Sequence, residues 1–306
     1  MTQASRDSAT RRPPAASVDV TDAVLRPALE RARNADSGWG YAPGKSSRIE
    51  PTCWALLALA RAARQDVDAE RLARWPRQDG FLIDIPGAPI NYAFSALAGL
   101  TFLASGAHAA EARALAASLV TVRGLRLDSS SIIRQDSTLQ AWPWIDGTFS
   151  WVEPTAWALL LLKKSSAGRP DAATADRLRV GDAVMRDRAC AQGGWNYGSS
   201  NVYGQELFPY VPTTALGLLA LQDHRSDATV SRALDRLRKD IASERSAMAL
   251  AMAAIALRAY GEPAEPATTP LGALVAAPRP TDDVMGLAMS VYALSRSPNG
   301  EQYFAL

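Results

Sequence analysis

Two kinds of apolar stretch alternate along the chain. Runs of Ala, Leu and Met that are apolar nearly all round follow Glu50-Pro51, Pro89-Ile90-Asn91-Tyr92 (to Ala104), Glu153-Pro154, Pro212-Thr213, Ser243-Glu244-Arg245 (to Tyr260) and Pro280-Thr281-Asp282-Asp283 (to Ser295). Between them lie stretches apolar on one side only: about Val20 to Arg33, Val67 to Trp75, Ala109 to Val120, Ala172 to Ala191 and Asp227 to Asp240. In the last of these, Leu234 and Leu237 recur at helical spacing and Ile241 follows. A sixth, around Leu271 to Ala276, is short. Helices apolar all round are buried, and amphipathic ones turn one side to solvent. The pattern predicts six inner helices within six outer ones.

The inner helices are introduced by a repeated phrase. Gly38-Trp39-Gly40-Tyr41 leads to Glu50-Pro51-Thr52-Cys53-Trp54, Trp151-Val152 leads to Glu153-Pro154-Thr155-Ala156-Trp157, and Gly194-Trp195-Asn196-Tyr197 leads to Pro212-Thr213-Thr214-Ala215. Proline at a first helical position costs no hydrogen bond and has its φ already set, so each phrase reads as a turn followed by a helix start. Repeats share a core that none builds alone. Their irregular intervals favour a closed ring over an open α-solenoid, and the expected fold is an all-α, α/α toroid. Residues 1–17 are polar and proline-bearing and read as a disordered tail, with the toroid occupying 18–306.

The chain has 306 residues, 48% of them hydrophobic, and a net charge of +2, which gives nucleic acid no electrostatic footprint. Its longest apolar run, Ala247 to Leu257, is too short to span a bilayer. The expectation is a cytoplasmic protein that at most sits peripherally on a membrane. Cys53 and Cys190, the only two cysteines, read as free thiols. With His108 and His224 alone, no metal site is readable.

Gln192-Gly193-Gly194-Trp195 and the run from Gly194 to Leu221 resemble the prenyltransferase and squalene-oxidase repeat family, most closely its squalene-hopene cyclase-like, class II terpene cyclase branch. The likeness covers residues from about 20 to 296. It implies a toroid whose cavity takes a linear isoprenoid, and an Asp-x-Asp-Asp motif in which a protonated aspartic acid attacks an alkene. The nearest match here, Pro280-Thr281-Asp282-Asp283, lacks the first acid. Family members are also about twice as long. The zinc set of protein prenyltransferases and the Gly-Cys-Gly-Glu-Gln thioester motif are missing.

Four acids are candidates for catalysis. Asp282 and Asp283 either share a proton as an acid pair or cap a helix N-terminus. Glu50 and Glu153, in equivalent places, either face a common cavity mouth or bond the N–H groups of their own helix starts. Trp39, Tyr41, Tyr92, Trp144, Trp151, Trp195, Tyr197, Tyr203 and Tyr210 fall in turns at one end of the inner helices, where ring faces would steady a cation by about 0.5 to 2 kcal/mol each. Trp54 and Trp157, inside helices, read as core. The arginines of the long segment Arg123 to Gly147 suit either a diphosphate head group or solvent. No cofactor is called for, and magnesium enters only with a diphosphate substrate. The functional expectation is acid-initiated cyclisation of an isoprenoid. The alternative is a toroid that binds an isoprenoid, lipid or peptide, or supports a partner enzyme, without chemistry.

Overall fold

The computed structural model describes residues 20–60, 68–128, 134–276, 282–295 and 303–306. The tail 1–17, and Pro280 and Thr281 of the acidic motif, lie outside them. Among the described residues are twelve α-helices: α1 Arg26–Arg31, α2 Ile49–Leu59, α3 Glu70–Ala73, α4 Tyr92–Ser105, α5 Ala109–Thr121, α6 Val152–Ser166, α7 Ala172–Asp187, α8 Val211–Ala220, α9 Ala228–Ile241, α10 Ala247–Ala259, α11 Glu265–Val275 and α12 Val284–Leu294. Two antiparallel hairpins, β1 Arg77–Gln78 with β2 Phe81–Leu82 and β3 Asn201–Val202 with β4 Gln205–Glu206, decorate the ring. No described helix is long and apolar enough to cross a membrane.

The even-numbered helices pack each against the next, and α12 packs against α2, so the inner ring closes. The odd-numbered helices lie outside it, α5, α9 and α11 each touching two inner neighbours. The protein is an α/α toroid. Its inner helices are buried on nearly every side. Outer helix α9, by contrast, buries only Val230, Ala233, Leu237 and Ile241, as the 3.6-residue period requires. Two outer helices differ from expectation. The second, α3, is a single turn, and the sixth, α11, is longer, starting at Glu265 with Pro266 in its first turn and Pro270 inside it.

Hydrogen bonds set the true register of the repeat. The backbone N–H of Trp39 donates to Thr52 Oγ1 (2.9 Å), that of Trp142 to Thr155 Oγ1 (3.4 Å) and that of Trp195 to Thr214 Oγ1 (3.0 Å). The three indoles donate to carbonyls of the outer helix before them: Trp39 to Leu29 (2.8 Å), Trp142 to Leu119 (2.9 Å) and Trp195 to Met185 (2.6 Å). The second turn is therefore Trp142-Pro143-Trp144, not Trp151, and Thr214 rather than Thr213 matches Thr52. Position for position, Glu50 and Glu153 correspond to Pro212. The prolines fall third in α2 and α6 and second in α8. They still lie in the first turn, where N–H groups have no intrahelical partner.

Two residues beyond each tryptophan, the turn docks on the start of the preceding inner helix. Val284 N–H donates to Tyr41 O, Tyr92 N–H to Trp144 O and Val152 N–H to Tyr197 O, each at 3.0 Å. The first of these stitches α12 to the turn before α2 and shuts the ring.

Candidate functional site

A cavity of about 460 Å³, counted to its open mouth, occupies the N-terminal end of the inner ring. Its lining follows from the register. The second residue of five inner helices, Glu50, Glu153, Pro212, Met248 and Met285, forms an upper layer. One turn deeper, at i+4 on the same face, lie Trp54, Trp157, Leu216, Met252 and Met289. Tyr197 and Thr213 complete the wall.

Both glutamates thus face one mouth. Neither caps its own helix: α2 and α6 have no side-chain cap, and the N–H of Ile49 is taken by Asp84 Oδ1 at 2.8 Å. Asp84, from the loop after β2, also pairs with Arg48, whose guanidinium lies 5.4 Å from the centre of the Tyr41 ring. The Tyr41 hydroxyl donates to Glu50 Oε2 at 2.6 Å. Burial pushes the Glu50 carboxyl above its ordinary value; the Tyr41 hydrogen bond opposes this, Asp84 adds to it and Arg48 opposes it. Burial also pushes Glu153 up, to about 7, with a contribution from the charge of Glu50 and opposition from a hydrogen bond with Trp157. Near neutrality Glu153 is accordingly divided between its protonated and ionised forms, and it shares the cavity with a second acid tied to a phenol.

The acid pair expected to act at the start of α12 stands there but outside the cavity. Asp282 and Asp283 are exposed, and Asp283 is an N-cap whose Oδ1 accepts the Gly286 N–H at 2.8 Å. Neither lines the cavity. Asp283→Ala should cost about 1 kcal/mol of stability, as loss of an N-cap does, and Asp283→Ser should recover most of it. Urea unfolding of the two variants checks this, and equal losses in both would show that the cap is not what Asp283 supplies.

The nine rim aromatics separate into three groups. Trp39 and Trp195 are fully buried wedges, Tyr92 is buried against Phe81 with ring centres 5.1 Å apart, and Trp144 and Trp151 are half-buried in the repeat turns. Tyr41 addresses Glu50. Tyr197, Tyr203 and Tyr210 are exposed, and of these Tyr197 lines the cavity, its ring centre 5.6 Å from that of Tyr210. Trp54 and Trp157 are buried but also face the cavity, with ring centres 6.1 Å apart edge to face. Sequence reasoning placed them in the core and passed over Met248, Met252, Met285, Met289 and Leu216. The recurring i, i+4 pairs Glu50/Trp54, Glu153/Trp157, Pro212/Leu216, Met248/Met252 and Met285/Met289 carry the signal that would have found them.

Two of the long segment's arginines are engaged away from the cavity. Arg123 donates to the Val120 and Val122 carbonyls, and Arg134 pairs with Glu206 at 2.8 Å. Arg177 of α7 ties the segment down through the carbonyls of Gln140, Ala141 and Val122. Elsewhere, Asp182, Asp223 and His224 bring ligand atoms within 4.8 Å of one another. There the Lys163 ammonium already bonds both carboxylates, at 2.9 and 2.7 Å. Cys53 and Cys190 are buried free thiols.

No family model matches the chain, and no curated protein matches it in sequence. Solved structures do match in shape. A family 76 glycoside hydrolase from a bovine Bacteroides thetaiotaomicron strain aligns with TM-score 0.60 at 11% identity, over 94% of this chain and 77% of its own. A variant of the type II terpene cyclase MstE from Scytonema aligns with TM-score 0.54 at 13% identity, over 88% of this chain and 94% of its own. A sugar epimerase from a ruminal bacterium aligns with TM-score 0.51 at 13% identity, over 82% of each chain. All three are α/α toroids. Identities this low show a common architecture, shared among unrelated chemistries.

Proposed function

We propose that this toroid is an acid catalyst of the class II terpene cyclase type, acting on a linear isoprenoid. Glu153 is the proton donor, in place of Asp282 and Asp283. The observation that carries the reading is a carboxyl held neutral to about pH 7 inside a wall of tryptophan, methionine, leucine and proline. A sugar ring would need several polar partners, whereas most of the lining is apolar and Thr213 already donates its hydroxyl to Trp195 O at 2.6 Å.

In the proposed step, an alkene of the bound chain takes the Glu153 proton. Its π electrons form the new C–H bond, leaving a tertiary cation and the Glu153 carboxylate. The next double bond attacks the cation and closes a ring, and a carbon beside the new cation returns a proton to the Glu153 carboxylate, so the acid is restored and the net change is an isomerisation. Trp54 and Trp157 are placed to stabilise the cation by about 0.5 to 2 kcal/mol each. The dry wall keeps water from quenching it. A donor with a raised pKa is a weak acid, but one whose proton is present at neutral pH.

The test is incubation with linear polyprenols and polyprenyl diphosphates followed by product analysis, comparing wild type, Glu153→Gln and Asp282→Asn. Cyclised product lost with Glu153→Gln and kept with Asp282→Asn is expected. Loss only with Asp282→Asn would overturn the assignment of the donor. Saturable binding of these substrates without product would favour the non-catalytic alternative, a binding toroid.

A further inference from the structure

The far end of the inner ring is closed by the chain itself. Residues Tyr303–Leu306 enter from the C-terminal ends of the inner helices and are held by side chains from three elements. Gln222, just after α8, donates to Phe304 O (2.7 Å) and accepts from the Leu306 N–H (3.1 Å). Lys164, in the last turn of α6, donates to Ala305 O. The Tyr292 hydroxyl of α12 accepts from the Tyr303 N–H at 3.1 Å. Backbone groups entering an apolar ring need such partners, and the ring supplies them from side chains set around its exit. Burial lowers the pKa of Lys164, and among the described residues no carboxylate forms an ion pair with it.

The segment inserts Phe304, which is fully buried. Its ring centre lies 5.3 Å from that of Trp54, 5.6 Å from that of Trp157 and 5.5 Å from that of Tyr292. Trp54 and Trp157 are the aromatic part of the cavity's lower layer. Phe304 packs against them from the side of the C-terminal ends of the inner helices.

We propose that Phe304 sets the depth of the cavity, and thereby the longest apolar chain it accepts. This inference rests on the proposed function only in taking the ligand to be an apolar chain. Phe304 is a positioning residue: it braces the two tryptophans at the height where an entering chain meets them. Truncating it lets the rings drop toward the exit and lengthens the pocket along its axis.

The test uses straight-chain saturated 1-alkanols of increasing length, which cannot be cyclised, titrated by calorimetry into wild type, Phe304→Ala and Phe304→Leu. For wild type, affinity should rise about fourfold per added methylene and then level off where the chain reaches the floor. In Phe304→Ala the plateau should move to longer alcohols, with a gain of more than tenfold for the first chains beyond the wild-type limit, equivalent to about two further buried methylenes. Phe304→Leu should lie between, which keeps the test usable where the alanine variant melts too low. Thermal melts establish that each variant is folded. An unmoved plateau in folded variants overturns the inference, as does a wild type that binds none of the alcohols. A moved plateau in a protein that turns over no isoprenoid leaves the floor in place and removes only the proposed chemistry.

Discussion

Glu153→Gln should abolish the proposed acid chemistry and make the protein more stable above neutral pH. A general acid contributes about 10²–10⁴ in rate, and glutamine keeps the shape while offering no transferable proton. Folded, Glu153 ionises near 7; in the unfolded chain it returns to its ordinary value of 4.5. Between those values the folded protein holds a proton that the unfolded chain has released. The neutral Glu153 therefore favours folding fully below about pH 4.5, and this advantage is lost as pH rises through about 7. The charge trapped at about pH 8 to 9 costs on the order of 3 kcal/mol relative to a neutral side chain. Glu153→Gln should unfold several degrees higher than wild type there, with the difference shrinking toward zero near about pH 4. Removing the charge also relieves Glu50, which acts in the same direction. Melting curves across this range decide the matter: a difference independent of pH would mean that Glu153 is not held neutral, whatever its effect on turnover.

Trp195→Ala should cost about 3 to 5 kcal/mol, the range for emptying a buried tryptophan site. The indole has no exposed surface. It lies against Gly217 so closely that a Cβ there would fall 2.5 Å from the ring. Its N–H satisfies Met185 O in α7, and its backbone bonds to Thr214 in α8. Tyr203→Ala, at the tip of the β3–β4 hairpin and 74% exposed, should change stability by no more than about 0.5 kcal/mol. Both residues belong to one set of turn aromatics in the sequence, so urea unfolding of this pair separates wedge from rim. A Trp195→Ala loss as small as that of Tyr203→Ala would mean that the wedge does not join α7 to α8.

The toroid was legible because its cause is local. Helices apolar all round alternate with one-sided ones, and only a ring within a ring buries the first kind and wets the second. The Trp turns were legible as repetition but not in their alignment. Pro212-Thr213 reads like Pro51-Thr52 by residue type, yet the Trp195 N–H chooses Thr214, and that shift of one residue puts proline where two other repeats carry glutamate. The site was partly legible. Glu50 and Glu153 stand at equivalent positions, and both line the cavity. Asp282 and Asp283 were the nearest match to an Asp-x-Asp-Asp motif, but a Thr-Asp-Asp run before an apolar helix satisfies capping equally well, and Asp283 caps.

The sequence by itself determined the number, order and burial of the inner helices, since periodicity and first-turn prolines are properties of short segments. Tertiary structure alone decided which face of each helix looks onto the axis, because that depends on how twelve helices pack at once. It brought Glu153 and Glu50 into the wall of one cavity, where partial burial and their mutual charge raise the pKa of Glu153. It also carried Phe304, remote in the chain, to the underside of Trp54 and Trp157, where the side chains that hold its backbone come from α6, from the turn after α8 and from α12.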